Sequence, residues 1–288
     1  MTAVIDDSPS TVRIGGARVA YHDDGTGTPV LLLHGCPFAS FIWRAVIREL
    51  APTHRCVAPD LLGLGDTETP PDADWSLRAQ AAAMLGLLDA LGIERAHVVG
   101  HDHGGAVAQV LAAEHPQRVD RLILANAEAY DNWPSAEERP FVRITQTPLV
   151  GDVVLWLWSR RPLLRATLAR AKAVHDPRAL SSEFVDEMIR ANLSTHYRRA
   201  KTKRFLAEQF EPRNNRITVE VLDGLRCFDH PTLLIWAEND AHFGPEWGER
   251  LRQDIPGVAR LELLPSTGHL LMEERRDEFT KLVLDFLA

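Results

Sequence analysis

The chain has 288 residues, 45% hydrophobic and 25% charged, which suits one large α/β domain with an insertion and excludes a disordered or fibrous protein. A net charge of −8 argues against nucleic acid as a partner, and no run of about twenty apolar residues suggests a membrane span. Three cysteines (Cys36, Cys56, Cys227) without metal spacing fit reduced thiols, and the N-terminus lacks the regions of a signal peptide, so a cytoplasmic protein is expected.

Residues 11–24 read as a hairpin turning at Gly15-Gly16. The apolar run 29–35 is a buried strand, 40–50 has helical spacing with Ser40 as N-cap, and 54–60 is the next strand. A glycine-rich turn at 61–66 follows; it has no Walker lysine, so it is not a phosphate loop. Residues 75–91 form a long amphipathic helix ended by Gly92.

The run 97–106 carries the most information. Val98-Val99 leads into Gly100-His101-Asp102-His103-Gly104-Gly105, and an Ala/Val-rich helical segment continues to Glu114, the pattern of a strand, a sharp turn and a helix. Gly100 and Gly104 suit a place where strand and helix pass too closely for a β-carbon, and Asp102 occupies the strained corner. Residues 121–127 are another strand. From Asp131 strand signals stop, and 149–160, 162–173 and 182–208 look helical. Strands resume at 231–240 and 259–265, and a last helix covers 276–287. Strands alternating with helices predict a mostly parallel sheet covered on both faces.

Gly-His-Asp-x-Gly-Gly after a strand resembles the α/β-hydrolase superfamily, in the branch with an aspartate nucleophile. Epoxide hydrolases and haloalkane or haloacetate dehalogenases belong there. The resemblance runs from about residue 29 to the C-terminus and is weakest over 131–225. It implies an α/β-hydrolase fold, with a mostly parallel central sheet flanked by helices. Residues 1–130 and 226–288 would form the core, and 131–225 an inserted helical cap. That cap carries a net charge of +4 against −12 elsewhere, which suits a solvated helical face.

The resemblance also assigns roles. Asp102, ionised at neutral pH from a reference pKa of about 3.9, would attack an sp3 carbon and leave an alkyl-enzyme ester. His269, in Ser266-Thr267-Gly268-His269, would activate the water that hydrolyses it. Asp240, ending one strand, would orient that histidine, with Glu128, ending the strand before, as the alternative acid. The backbone N–H groups of Cys36 and His103 would form the oxyanion hole, with Pro37 stiffening the turn. His34-Gly35-Cys36-Pro37 matches the His-Gly-x-Pro of epoxide hydrolases.

The halide-holding pair of haloalkane dehalogenases, a tryptophan after the nucleophile and often an asparagine at the Cys36 position, is missing. So is the arginine that haloacetate dehalogenases place where His103 stands. Epoxide hydrolases protonate the opening oxygen with two cap tyrosines; here Tyr197 lies in the cap and Tyr130 at its entrance. Together with Trp156, Trp158 and His34 they are the expected substrate-binding residues, in a mostly apolar pocket between cap and sheet. The first reading is therefore an epoxide hydrolase acting on a small molecule. Haloalkane or haloacid dehalogenation is the alternative, and a cofactor-free, base-catalysed oxygenase or lyase the third. A non-catalytic ligand-binding protein comes last. No cofactor or metal is expected, and the protein would be a monomer or homodimer.

Overall fold

The short apolar runs become strands of a single sheet and the helically spaced runs cover it, in a computed structural model that describes residues 9–208 and 210–288. The N-terminal stretch in which no signal peptide was read lies, up to Ser8, outside the described residues. Strands β1 (Ser10–Ile14) and β2 (Ala17–Asp24) form the antiparallel hairpin, with Gly15 and Gly16 at positive φ in its turn. They are followed by β3 (Thr28–Leu33), β4 (His54–Pro59), β5 (Ala96–Asp102), β6 (Val119–Ala127), β7 (Thr232–Ala237) and β8 (Val258–Leu264). The spatial order is β1-β2-β4-β3-β5-β6-β7-β8, and every pairing from β4 to β8 is parallel.

Alternate residues of each strand serve opposite faces. Leu31 and Leu33 of β3 join Met84 and Leu87 of α2 (Leu77–Ala90) and Val107 and Leu111 of α3 (His103–Glu114) in one cluster. Val30 and Leu32 join Val46 of α1 (Arg44–Leu50) and Phe279 and Val283 of the C-terminal helix (Arg276–Leu287) in the other. Each such side chain, taken wholly from water, contributes about 1.5–3 kcal/mol. Double coverage explains why β5 and β7 are buried at every residue, and why edge strand β8 is not.

Between β6 and β7 the secondary structure is all helical among the described residues: α4 (Arg139–Gln146), α5 (Val150–Trp158), α6 (Arg161–Arg170), α7 (Ser182–Asn192) and α8 (His196–Glu208). Three one-turn helices follow, α9 (Pro212–Asn215), α10 (Ile217–Glu220) and α11 (Leu222–Leu225). After β7 come α12 (Pro245–Asp254), α13 (Leu271–Glu274) and the C-terminal helix, α14.

Two helical expectations need correction. The stretch 182–208 is two helices, because Thr195 Oγ1 accepts the Arg198 N–H and starts a second one after α7 has ended. Ser40 is not an N-cap: its own N–H is taken by Asp60 Oδ1, and it begins a 3-10 turn that leads into α1.

Polar side chains fasten α7 and α8 to the sheet's loops. Asn192 Nδ2 donates to the carbonyls of Pro37 and Phe38, both at 2.9 Å, while its Oδ1 accepts from Gly65 N–H. The Lys201 ammonium, buried and pushed down to about 8 by that burial, donates to the carbonyls of Leu64, Gly65 and Thr67. By these bonds α7 is tied to the loop after β3 and to the glycine-rich turn, and α8 to the glycine-rich turn.

Candidate active site

Strand β5 ends and α3 begins at one residue, Asp102, held at φ 55° and ψ −124°. Such a corner needs its neighbours stripped of side chains. A Cβ on Gly104 would lie 2.3 Å from the Leu33 carbonyl oxygen, and one on Gly35 would lie 2.4 Å from the Cβ of Asp102. The result is a carboxylate thrust up between two loops.

The two oxygens of that carboxylate have different partners. Oδ1 accepts from the backbone N–H of Cys36 at 2.8 Å and from that of His103. Oδ2 lies 3.0 Å from His269 Nε2, and His269 Nδ1 donates to Asp240 Oδ2 at 2.9 Å. Asp240 is anchored in turn, its Oδ1 accepting from the N–H groups of His242 and Phe243. Asp102, His269 and Asp240 are all buried, so this chain of charges works at low dielectric. Burial opposes a charge on His269, but Asp240 and Asp102 outweigh it and hold the imidazole's pKa well above the usual value. Burial likewise opposes ionisation of Asp102; the hydrogen bond from His269 outweighs it, and the carboxyl stays below its usual range.

His269 is steered from its backbone. Asn126, at positive φ near the end of β6, donates through Nδ2 to the His269 carbonyl at 3.0 Å and accepts the Ala237 N–H. His101 Nε2 donates to the same carbonyl at 3.1 Å, and its ring lies 4.6 Å from that of His269. Sequence reasoning missed both. Asn126 carried only the weak signal that asparagine tolerates positive φ.

Glu128 does not orient His269. Its Oε2 accepts from His103 Nδ1 at 2.8 Å, which leaves Asp240 as the histidine's acid partner. The His103 ring stands edge-on to Trp133 at 5.7 Å and to Phe205 of α8 at 5.1 Å. Its Nε2 is buried without a hydrogen-bond partner among the described residues. Burial acts against charge on His103, but the Glu128 carboxylate raises its pKa above the ordinary value, while burial pushes Glu128 up to about 7. A proton is thus retained on the pair.

The expected substrate-binding residues fare differently from Asp102, His269 and Asp240. His34 has both nitrogens engaged, Nδ1–H donating to the Gly35 carbonyl and Nε2 accepting the Leu61 N–H. It fixes the loop that carries Cys36 and is not free for substrate. Tyr130 is buried with its hydroxyl donating to Asp254 at 2.8 Å and the Arg250 guanidinium over its ring. Trp156 is 46% exposed beneath Arg160, and Tyr197 is 58% exposed on α8. Trp158 stacks on Phe141 at 4.1 Å. None of these reaches Asp102 through a hydrogen bond. Among the described residues no group of three His, Cys, Asp or Glu side chains stands together to hold a metal. No described helix is long and apolar enough to cross a membrane.

Known proteins match this chain over nearly its whole length. A family model described as alpha/beta hydrolase fold matches residues 28–276. Haloalkane dehalogenase 2 of Mycobacterium tuberculosis is 31% identical over 281 residues, 93% of this chain and 91% of that one. The cis-3-alkyl-4-alkyloxetan-2-one decarboxylase of Shewanella oneidensis is 28% identical, covering 95% of this chain and 86% of its own. Among solved structures, a meta-cleavage product hydrolase from Pseudomonas fluorescens superposes with a TM-score of 0.81 at 25% identity, over 97% of both chains.

Proposed function

The chain belongs to the α/β-hydrolase fold family, and on that premise we propose that it opens small organic epoxides by attack of Asp102 on an sp3 carbon. The observation that carries this reading is the split carboxylate: Oδ1 sits on two backbone N–H groups and Oδ2 faces His269. In the ester that forms, Oδ2 bonds to the substrate carbon and Oδ1 becomes the carbonyl oxygen. The amides of Cys36 and His103 then stabilise the negative charge that grows on Oδ1 when water attacks.

Esterification also switches His269 on. It removes the charge of Asp102, one of the two anions that raise the histidine's proton affinity. His269 then releases its proton more readily, while Asp240 still holds Nδ1–H and aims a free Nε2 at water. Water gives a proton to Nε2 and its oxygen to the Asp102 carbonyl carbon. Collapse of that intermediate breaks the bond from this carbon to Oδ2, and the leaving alkoxide takes the proton from Nε2 and departs as the diol.

An oxygen leaving group is favoured over halide because Cys36 and His103 stand where haloalkane dehalogenases keep their halide-holding pair. The oxetan-2-one named for one relative is likewise a strained cyclic oxygen electrophile. Dehalogenation is the second reading, favoured by the dehalogenase at 31% identity.

The test is the intact mass of His269→Gln after incubation with epoxides and, separately, with haloalkanes and haloacids. This variant is expected to form the ester and fail to hydrolyse it. A gain equal to a whole epoxide supports the first reading, and a gain of substrate minus hydrogen halide the second. No adduct from either pool overturns Asp102 as the nucleophile.

A further inference from the structure

The reaction assigned to Asp102, His269 and Asp240 leaves a second buried acid–base pair without a task, one residue along the chain from the nucleophile. We propose that the Nε2–H of His103, held by Glu128, is the proton donor to the oxygen that leaves carbon when Asp102 attacks. This deepens the epoxide reading and rests on it.

Three geometric facts point there. The His103 backbone N–H already binds Asp102 Oδ1, and the Asp102 charge acts on its ring. The Nδ1–Glu128 bond and the edge-on contacts with Trp133 and Phe205 fix the ring's orientation. Nε2, on the ring edge away from the Nδ1–H, is buried and has no hydrogen-bond partner among the described residues. A buried polar atom without a partner is destabilising, and it persists where a ligand atom supplies the partner. The tyrosines expected to protonate the oxygen are elsewhere, Tyr130 engaged with Asp254 and Tyr197 exposed.

The step balances. The Asp102 Oδ2 lone pair forms the bond to carbon, the ring C–O bond breaks, and its electron pair stays on oxygen, which takes the proton from His103 Nε2. His103 is left neutral, with Nδ1–H still on Glu128. Hydrolysis of the ester regenerates Asp102 as a carboxylic acid, whose ionisation returns a proton to His103. The charged and titratable groups around His103 are Asp102, Glu128, Glu138 and, across the β3 loop, His34. Asp102, Glu128 and Glu138 raise its proton affinity against the burial that opposes its charge.

The experiment follows ester formation on Asp102 by intact mass in single turnovers, with an epoxide, between pH 6 and 9. His269→Gln is the parent, compared with the same chain carrying His103→Gln or Glu128→Gln. His103→Gln keeps an N–H but cannot give up a proton, and is expected to slow ester formation about 10²–10⁴-fold and flatten its pH dependence. Glu128→Gln keeps shape but removes the counterion, so the rate's fall at alkaline pH should move to lower pH. Parental rate and pH profile in either variant would overturn the proposal. Absence of an adduct in the parent itself would instead refute Asp102 as nucleophile. Should His103→Gln not fold, the profile of Glu128→Gln decides alone.

Discussion

Replacing Asp240 with asparagine tests the charge chain at its most remote member. Asparagine can keep Oδ1 on the N–H groups of His242 and Phe243, which hold that atom at 2.7 and 3.1 Å. It then turns an NH2 toward His269 Nδ1, where a carboxylate oxygen stood at 2.9 Å. Nδ1 must become an acceptor, which moves the histidine's proton to Nε2, the atom that has to take one from water. Glu128 cannot rescue the tautomer, because it is committed to His103. Loss of one charge-assisted hydrogen bond removes about 1.5–3 kcal/mol, and the wrong tautomer adds to it. A total of about 4–5.5 kcal/mol corresponds to roughly 10³–10⁴ in rate. The loss should fall on hydrolysis and spare alkylation. Rapid quench with an epoxide should therefore show a burst of ester at a rate within about threefold of wild type, below 1 kcal/mol, followed by very slow turnover. Equal loss in both phases, or turnover near wild type, would refute the role given to Asp240.

Asn192→Ala removes three hydrogen bonds between α7 and the loops below it, so urea denaturation should show a loss of about 3 kcal/mol at about 1 kcal/mol per bond. A loss near zero would show that the helix is held by its apolar face alone. The acid limb of stability should report His101, whose pKa is pushed down to about 3 by burial and by His269. Below its unfolded value of about 6.5 the unfolded chain binds a proton that the fold refuses, so stability falls as pH falls. Between pH 7 and 5 His101 should account for about 2 kcal/mol of that fall. Urea titrations of His101→Asn should therefore be flatter over this range, and identical slopes would exclude His101 as the cause.

The corner at Asp102 was readable because its constraints are local: glycines where backbones touch, an apolar run before, a helix after. The strands were readable because a sheet covered on both faces demands continuous apolar runs. The choice between Asp240 and Glu128 was not readable from spacing, and only the resemblance favoured Asp240. Both end strands in the middle of the sheet, and sequence spacing is blind to which loop turns toward His269. Glu128 faces α3 instead, a fact of side-chain direction. Trp156 shows a related blindness. Val150, Val153, Trp156 and Leu157 share one face of α5, and periodicity says that they lie together without saying whether anything covers them; they are exposed. The break between α7 and α8 rested on one hydroxyl, Thr195, in a stretch otherwise suited to helix.

The pair of amides at Cys36 and His103 is filled by an oxygen belonging to the protein itself. Aspartate brings its own occupant to that seat. A serine at the same corner would have a single oxygen, which must attack, and the seat would stand open for a carbonyl oxygen of the substrate. One side chain therefore decides which molecule supplies the atom that becomes an oxyanion, while the glycines, the histidine and its acid partner need not move. A frame of this kind would pass between acyl and alkyl chemistry by exchange at one residue, which fits relatives that bear names as unlike as dehalogenase, decarboxylase and meta-cleavage product hydrolase.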